Sequence, residues 1–271
     1  MTSVRTGDFD CSYTEDCFAK PWEQHEVILI QHGFGRNGEY WLSWVPDLAR
    51  DSIVIRRDMR AHGSSTAGSP DHEWSPESLA DDVIAFIDAV GLERVHYVGE
   101  SIGGITGIVL GARYPQRLHT LTLVQTPLRL GQPLHDYMRG DAPSWTELLR
   151  EVGPGGYITR NMDPDDPRTQ WERTQWDRCD ADALVRLAAA ALFVDVEHYV
   201  ERIAVPTLIL APGDSPLTSL DDQRFLARTI PDAEIEVFVG CGHNVYLAEP
   251  ERCTERLRRF ITERRALPQV S

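Results

Sequence analysis

One short stretch, residues 95–104, constrains the fold of this chain more than any other. It begins as an apolar, strand-like run, passes through Gly99-Glu100-Ser101-Ile102-Gly103, and continues into a helix-like sequence. A glycine two residues to either side of a serine predicts a reversal so sharp that larger side chains would collide there. The stretch therefore predicts a strand, a tight turn that exposes the Ser101 hydroxyl, and a helix whose N-terminus favours negative charge beside it.

Apolar strands and helices alternate along the first half of the chain. Continuous apolar runs predict strands that are buried on both faces, and they occur at 27–31, 52–56, 95–98 and 119–124. Helical patterns lie between them, at about 40–50, 75–90 and 102–114. The alternation resumes with strands at 205–211 and 235–239 and a final helix at 250–263, and short edge strands are expected near 3–6 and 10–14. This order predicts an α/β fold with a doubly wound, mostly parallel sheet.

The alternation is interrupted between residues 127 and 200. This segment is rich in Pro, Gly, Asp and Trp, with helical patches at 145–152, 169–177 and 182–200. We predict that residues 127–200 form a helical cap, inserted into a core domain that comprises residues 1–126 and 201–271.

Composition excludes several classes of partner. The 271 residues are 42% hydrophobic and fit one large α/β domain or two small ones. A net charge of −15 disfavours nucleic acid and anionic membranes, because their phosphates would be repelled. Five cysteines without CxxC spacing, no apolar signal region and no run long enough to span a bilayer predict a cytoplasmic protein with reduced thiols. We expect a small molecule as its partner and no metal, and the oligomeric state, a homodimer included, stays open.

Two further residues are candidates for the base and the acid that would activate Ser101. A serine hydroxyl needs a base to become a nucleophile, and the base needs an orienting acid. His243 follows the last predicted strand in a glycine-flanked loop, at the same sheet edge as Ser101. Asp214 is the only acid at the end of the preceding strand, although Asp-Ser-Pro is also ordinary turn chemistry.

Two backbone amides are candidates for an oxyanion hole. Ile102 directly follows the nucleophile, and Phe34 lies in the glycine-rich loop after the first buried strand. Each such donor lowers the barrier to acyl transfer by roughly 3 kcal/mol. The chain order Ser, Asp, His and the strand-end positions favour a serine hydrolase over a glycine-rich turn with an idle serine.

These motifs resemble those of the α/β-hydrolase superfamily, and of its serine esterase and lactonase branch in particular. The turn at residues 58–65 is similar to the D-x-R-G-H-G-x-S turn of enol-lactonases and carboxylesterases, with Ala61 replacing a usual glycine. The other motifs that carry the resemblance lie at residues 31–35, 98–104 and 240–243. The resemblance implies an eight-stranded, mostly parallel sheet with a helical cap between the sixth and seventh strands, and no cofactor.

One departure from the family's pattern concerns the acid. In many members the triad acid directly precedes the proline of the turn after the penultimate strand. Ser215 holds that place here, and Asp214 stands one residue earlier. We expect either that the turn is reshaped so that Asp214 reaches His243, or that the acid comes from elsewhere.

Specificity is expected in the cap. We predict an acyl-enzyme at Ser101 and an uncharged ester or lactone, apolar and with room for an aromatic ring, as substrate. The predicted pocket residues are Gly33, Leu128, Trp176 and Phe193. Arg36 and Arg129 are candidates for binding a carboxylate. Three alternatives stay open: a carbon–carbon bond hydrolase with the same triad, a hydrolase-fold ligand receptor with slow turnover, and an interaction protein with a decayed site.

Overall fold

A computed structural model describes residues 1–265 of the chain, and of residue 265 only the backbone. The strands are β1 (Thr2–Thr6), β2 (Phe9–Asp16), β3 (Val27–Gln31), β4 (Ile53–Arg57), β5 (Val95–Glu100), β6 (Leu118–Val124), β7 (Thr207–Pro212) and β8 (Ala233–Phe238). They form one sheet in the order β1-β2-β4-β3-β5-β6-β7-β8. Among these eight strands of the described residues, only the pairings of β2 with β1 and β4 are antiparallel. The predicted mostly parallel α/β sheet is confirmed.

Helices cover both faces of this sheet. They are α1 (Val45–Leu48), α2 (Pro76–Ala89), α3 (Ile102–Arg113), α4 (Gln132–Arg139), α5 (Trp145–Asn161), α6 (Pro167–Trp176), α7 (Ala181–Ala190), α8 (Leu220–Thr229), α9 (Val245–Ala248) and α10 (Pro250–Arg265). Short 3-10 helices span Gly38–Trp44, Pro115–Arg117, Ala191–Phe193 and Glu197–Arg202. Within residues 1–265, no helix is both long and apolar enough to cross a membrane.

The continuous apolar run of β3 divides its side chains between two cores. Val27 and Leu29 pack on the face that α2 and α3 cover. Ile28 and Ile30 pack on the other face, with Trp41, Trp44 and helix α10. Successive strand residues point to opposite faces, so burial on both faces requires an apolar residue at every position.

The segment between β6 and β7 is helical, but its elements differ from those predicted. Helix α4 was not predicted, and the helix expected over residues 182–200 is broken into α7 and two 3-10 helices. The break occurs because Val194 and Val196 pair with the chain after β6: the Leu130 N–H donates to the Val194 carbonyl, and the Val196 N–H donates to the Leu128 carbonyl. These long-range hydrogen bonds replace helical ones.

Candidate active site

Ser101 occupies the turn between β5 and α3 with a strained backbone, at φ 53° and ψ −113°. The flanking glycines make this turn sterically feasible. A Cβ on Gly99 would lie 2.2 Å from the Gly103 carbonyl oxygen, and one on Gly103 would lie 2.4 Å from the Gln31 carbonyl oxygen. The sharp reversal that the sequence predicts is confirmed, and it holds the serine at the N-terminus of α3.

The loop after β3 lies directly against this turn. A Cβ on Gly33 would lie 3.1 Å from the Ser101 Cβ. The buried Glu100 carboxylate accepts hydrogen bonds from the Gly33 N–H, at 2.7 Å, and from the Gln125 side-chain amide, at 2.9 Å. Glu100 therefore anchors the loop that carries Phe34 beside the nucleophile candidate.

Phe34 and Ile102 both line the cavity that contains Ser101. Among the described residues, neither backbone N–H donates to a protein carbonyl. Both amides are therefore free to bind an acceptor, as an oxyanion hole requires. Their role in binding an oxyanion stays a prediction.

His243 lines the same cavity, and two hydroxyl groups hold its ring. Its Nδ1 atom lies 3.1 Å from the Ser215 Oγ and 3.2 Å from the Thr218 Oγ1. Burial, with a smaller contribution from the nearby Arg36 cation, lowers the pKa of His243 to about 3. The imidazole is therefore uncharged at neutral pH and able to accept a proton.

The predicted contact between Asp214 and His243 is not formed among the described residues, which corrects the expectation from sequence. The Asp214 carboxylate accepts a hydrogen bond from the Gly240 N–H at 3.0 Å, and the Asp214 N–H donates to the Cys241 carbonyl. Both bonds hold Asp214 against the loop that precedes His243, where the side chain is exposed. Ser215, which stands directly before the proline of this turn, faces the imidazole instead, together with Thr218.

The cavity beside Ser101 has a volume of about 110 Å³ and mostly apolar walls. The predicted pocket residue Trp176 lines it, and Gly33 borders it through its contact with Ser101. Leu128 does not line it, because the pairing with residues 194–196 directs this residue into the sheet core. Phe193 is also outside, 86% exposed on a 3-10 helix at the surface.

Three apolar wall residues were not predicted: Leu130, Leu134 and Met138, which recur every four residues. The wall also includes Trp145, one of the cap aromatics expected either in cap packing or at the pocket, and it begins the next helix. The fourfold spacing is a helical signal that is visible in the sequence. Glu100 was also missed, although it is the middle residue of the Gly-x-Ser part of the motif.

The two arginines proposed to bind a carboxylate are both engaged by protein groups. Arg129 forms ion pairs with Asp195, at 3.1 Å, and with Glu197. Arg36 lines the cavity, but its guanidinium donates to the Asn244 side-chain oxygen, at 2.6 Å, and to the Tyr246 hydroxyl. The arrangement leaves a hydroxyl, an uncharged imidazole and two free amides in an apolar cavity.

The sequence model of the family described as "alpha/beta hydrolase fold" matches residues 26–155. The enol-lactonase from Burkholderia xenovorans LB400 superposes with a TM-score of 0.84, at 21% identity, over 96% of this chain and 100% of that one. This chain has the α/β-hydrolase fold. A thermophilic esterase from Thermogutta terrifontis superposes on this chain with a TM-score of 0.80, at 22% identity, over 97% and 98% of the two chains. A protein of Caulobacter sp. (strain K31) that is named as a carbamate hydrolase, RutD, is 25% identical over 96% of this chain and 98% of its own length.

The geometry around His243 predicts how a carboxylate at position 215 would act. In Ser215→Asp, a negative charge beside Nδ1 would favour the imidazolium, so we expect the pKa of His243 to rise by about 1–3 units. An NMR titration of the His243 ring, assigned from its loss in His243→Gln, measures this directly. The matched control is Ser215→Asn, which adds similar bulk without charge and should leave the pKa low. Equal titration midpoints in the two variants would contradict the described geometry.

Proposed function

We propose that this α/β hydrolase cleaves an uncharged carboxylic ester or lactone through an acyl-enzyme on Ser101, without a cofactor. The observation that carries the proposal is the convergence of four groups on one cavity: the strained Ser101, the uncharged His243, and the free amides of Phe34 and Ile102. A nucleophile, a base and two oxyanion donors are the parts that acyl transfer needs.

The reaction follows from these positions. The Ser101 Oγ attacks the carbonyl carbon while its proton passes to His243, and the Phe34 and Ile102 amides stabilise the oxyanion. Collapse of the intermediate breaks the bond to the alkoxy oxygen, which takes the proton from His243. Water then gives a proton to His243 as it attacks the acyl carbon. Collapse of this second intermediate breaks the bond to the Ser101 Oγ, which takes the proton back from His243, and the acid is released. Because Nδ1 is held by Ser215 and Thr218, Nε2 is the ring nitrogen that accepts the Ser101 proton and passes it on.

The charges in the cavity support an uncharged substrate. The Glu100 carboxylate is bonded to Gly33 and Gln125, and the Arg36 guanidinium to Asn244 and Tyr246. A charged substrate group would have to displace these partners. The names of the relatives, a carbamate hydrolase and an enol-lactonase, support cleavage at a carbonyl carbon bonded to a heteroatom.

A second, smaller cavity supports an unbranched apolar chain on the substrate. It has a volume of about 20 Å³, and it shares the walls Ile102 and Leu130 with the cavity beside Ser101. Ala190 and Val194 border both this cavity and a groove of about 350 Å³. The small volume of the second cavity has room for methylene groups but not for a ring, so we propose that one apolar substituent of the ester extends this way.

Loss of the Ser101 hydroxyl should abolish hydrolysis. For Ser101→Ala we expect kcat/KM on p-nitrophenyl butyrate to fall on the order of 10⁴–10⁶-fold, because no other group in the cavity replaces the nucleophile. Steady-state kinetics measure this, with the melting temperature as a check on folding. A Ser101→Ala protein that keeps wild-type activity would refute the proposed function.

The second cavity predicts a chain-length effect. In Ala190→Phe, the larger side chain would fill the narrow cavity, so kcat/KM on p-nitrophenyl decanoate should fall at least about tenfold while that on the acetate changes little. The matched control is Ala189→Phe, the same substitution at an exposed neighbour. Rates on esters of two to ten acyl carbons test the idea. If the two variants give the same dependence of kcat/KM on acyl-chain length, the acyl chain of the ester does not occupy this cavity.

A further inference from the structure

We propose that Thr218 is a positioning residue: by accepting a hydrogen bond, it fixes His243 as the tautomer with its proton on Nδ1. This assigns to a neutral hydroxyl the orienting task that a carboxylate performs in a Ser-His-Asp triad. The inference rests on the proposed function, because the tautomer matters only if His243 takes the proton of Ser101.

The Thr218 hydroxyl has one proton, and a hydrogen bond within the protein already uses it. The Thr218 Oγ1 donates to the backbone carbonyl of Gln125, at 3.2 Å. Both residues are buried, and a buried carbonyl that loses its donor destabilises the fold. The single hydroxyl proton of Thr218 therefore stays on this bond.

With its proton committed, the Thr218 oxygen faces His243 only with a lone pair. The Oγ1 atom lies 3.2 Å from Nδ1, so a proton on Nδ1 makes a hydrogen bond there. The opposite tautomer would set two lone pairs against each other at this distance. Thr218 thus favours a bare Nε2, the form that accepts a proton.

Ser215, whose hydroxyl is the other one at Nδ1, does not select between the two tautomers in this way. Its Oγ accepts hydrogen bonds from the Leu217 and Thr218 backbone amides, each at 3.1 Å, and keeps its own proton. Because Ser215 is only half-buried, this proton can turn to solvent or to a bare Nδ1. Without Thr218, the Ser215 proton would bond to Nδ1 and favour the unproductive tautomer.

Thr218→Val tests the assignment, since it keeps the shape of the side chain and removes the acceptor. The ¹⁵N shifts of the His243 ring, assigned from their loss in His243→Gln, report which nitrogen carries the proton. We expect the Nδ1–H form in the wild type and a shift toward the Nε2–H form in Thr218→Val. The kcat for p-nitrophenyl butyrate should fall at least tenfold in Thr218→Val with KM little changed.

Two further variants separate positioning from packing. Thr218→Ser restores the hydroxyl and should recover both the Nδ1–H form and most of kcat. Thr122→Val makes the same substitution on β6, where the buried hydroxyl has no partner among the described residues, and should leave the tautomer and kcat as in the wild type.

Ser215→Ala keeps the test decisive if Thr218→Val does not fold. With Thr218 alone at Nδ1, we expect the Nδ1–H form to persist. An Nε2–H form in Ser215→Ala, or an unchanged Nδ1–H form in a folded Thr218→Val, would overturn the proposal. Neither result depends on activity, whereas the proposed function is tested by the activity of Ser101→Ala, so the two failures are distinguishable.

Discussion

The hydrogen bonds of the buried Gln125 join the separate parts of the site. Its side-chain amide donates to Glu100, its side-chain oxygen accepts from the Val245 N–H, and its backbone carbonyl accepts from Thr218. The residue sits at the end of β6 with a positive φ of 42°, a conformation that is uncommon outside glycine. Buried polar groups need partners, so these three bonds fix the relative positions of the serine turn, the helix after His243 and the turn after β7.

The charged groups near Ser101 are likewise held by hydrogen bonds within the protein. Glu100 stays paired with the Gly33 and Gln125 amides, and Arg36 stays paired with Asn244 and Tyr246. The cavity therefore presents mostly apolar walls around one hydroxyl and one uncharged ring. The low pKa of His243 has the same origin: the ring is buried, Arg36 is near, and hydroxyls rather than a carboxylate hold its Nδ1.

The sheet and the positions of Ser101 and His243 could be predicted because each depends on a local pattern. Continuous apolar runs identify strands that are buried on both faces, and glycine spacing identifies the sharp turn. The partner of His243 depends instead on which side of one turn a side chain faces. Asp214 and Ser215 are adjacent in sequence, and only the hydrogen bonds of Asp214 to the loop at residues 240–241 decide between them. Leu128 and Phe193 were expected in the pocket but lie outside it for a related reason. The pairing of residues 128–130 with 194–196 is a long-range contact, which no local pattern indicates.

The central claim, that Ser101 is the nucleophile of this cavity, is tested most directly by covalent trapping. A p-nitrophenyl alkylphosphonate transfers its phosphonyl group to an activated serine and releases p-nitrophenol. We expect one phosphonyl group per chain, located by peptide mass spectrometry on Ser101, and slower labelling in the presence of a hydrolysable ester. Ester hydrolysis that continues while Ser101 stays unlabelled, or a label on another residue that abolishes activity, would contradict the account.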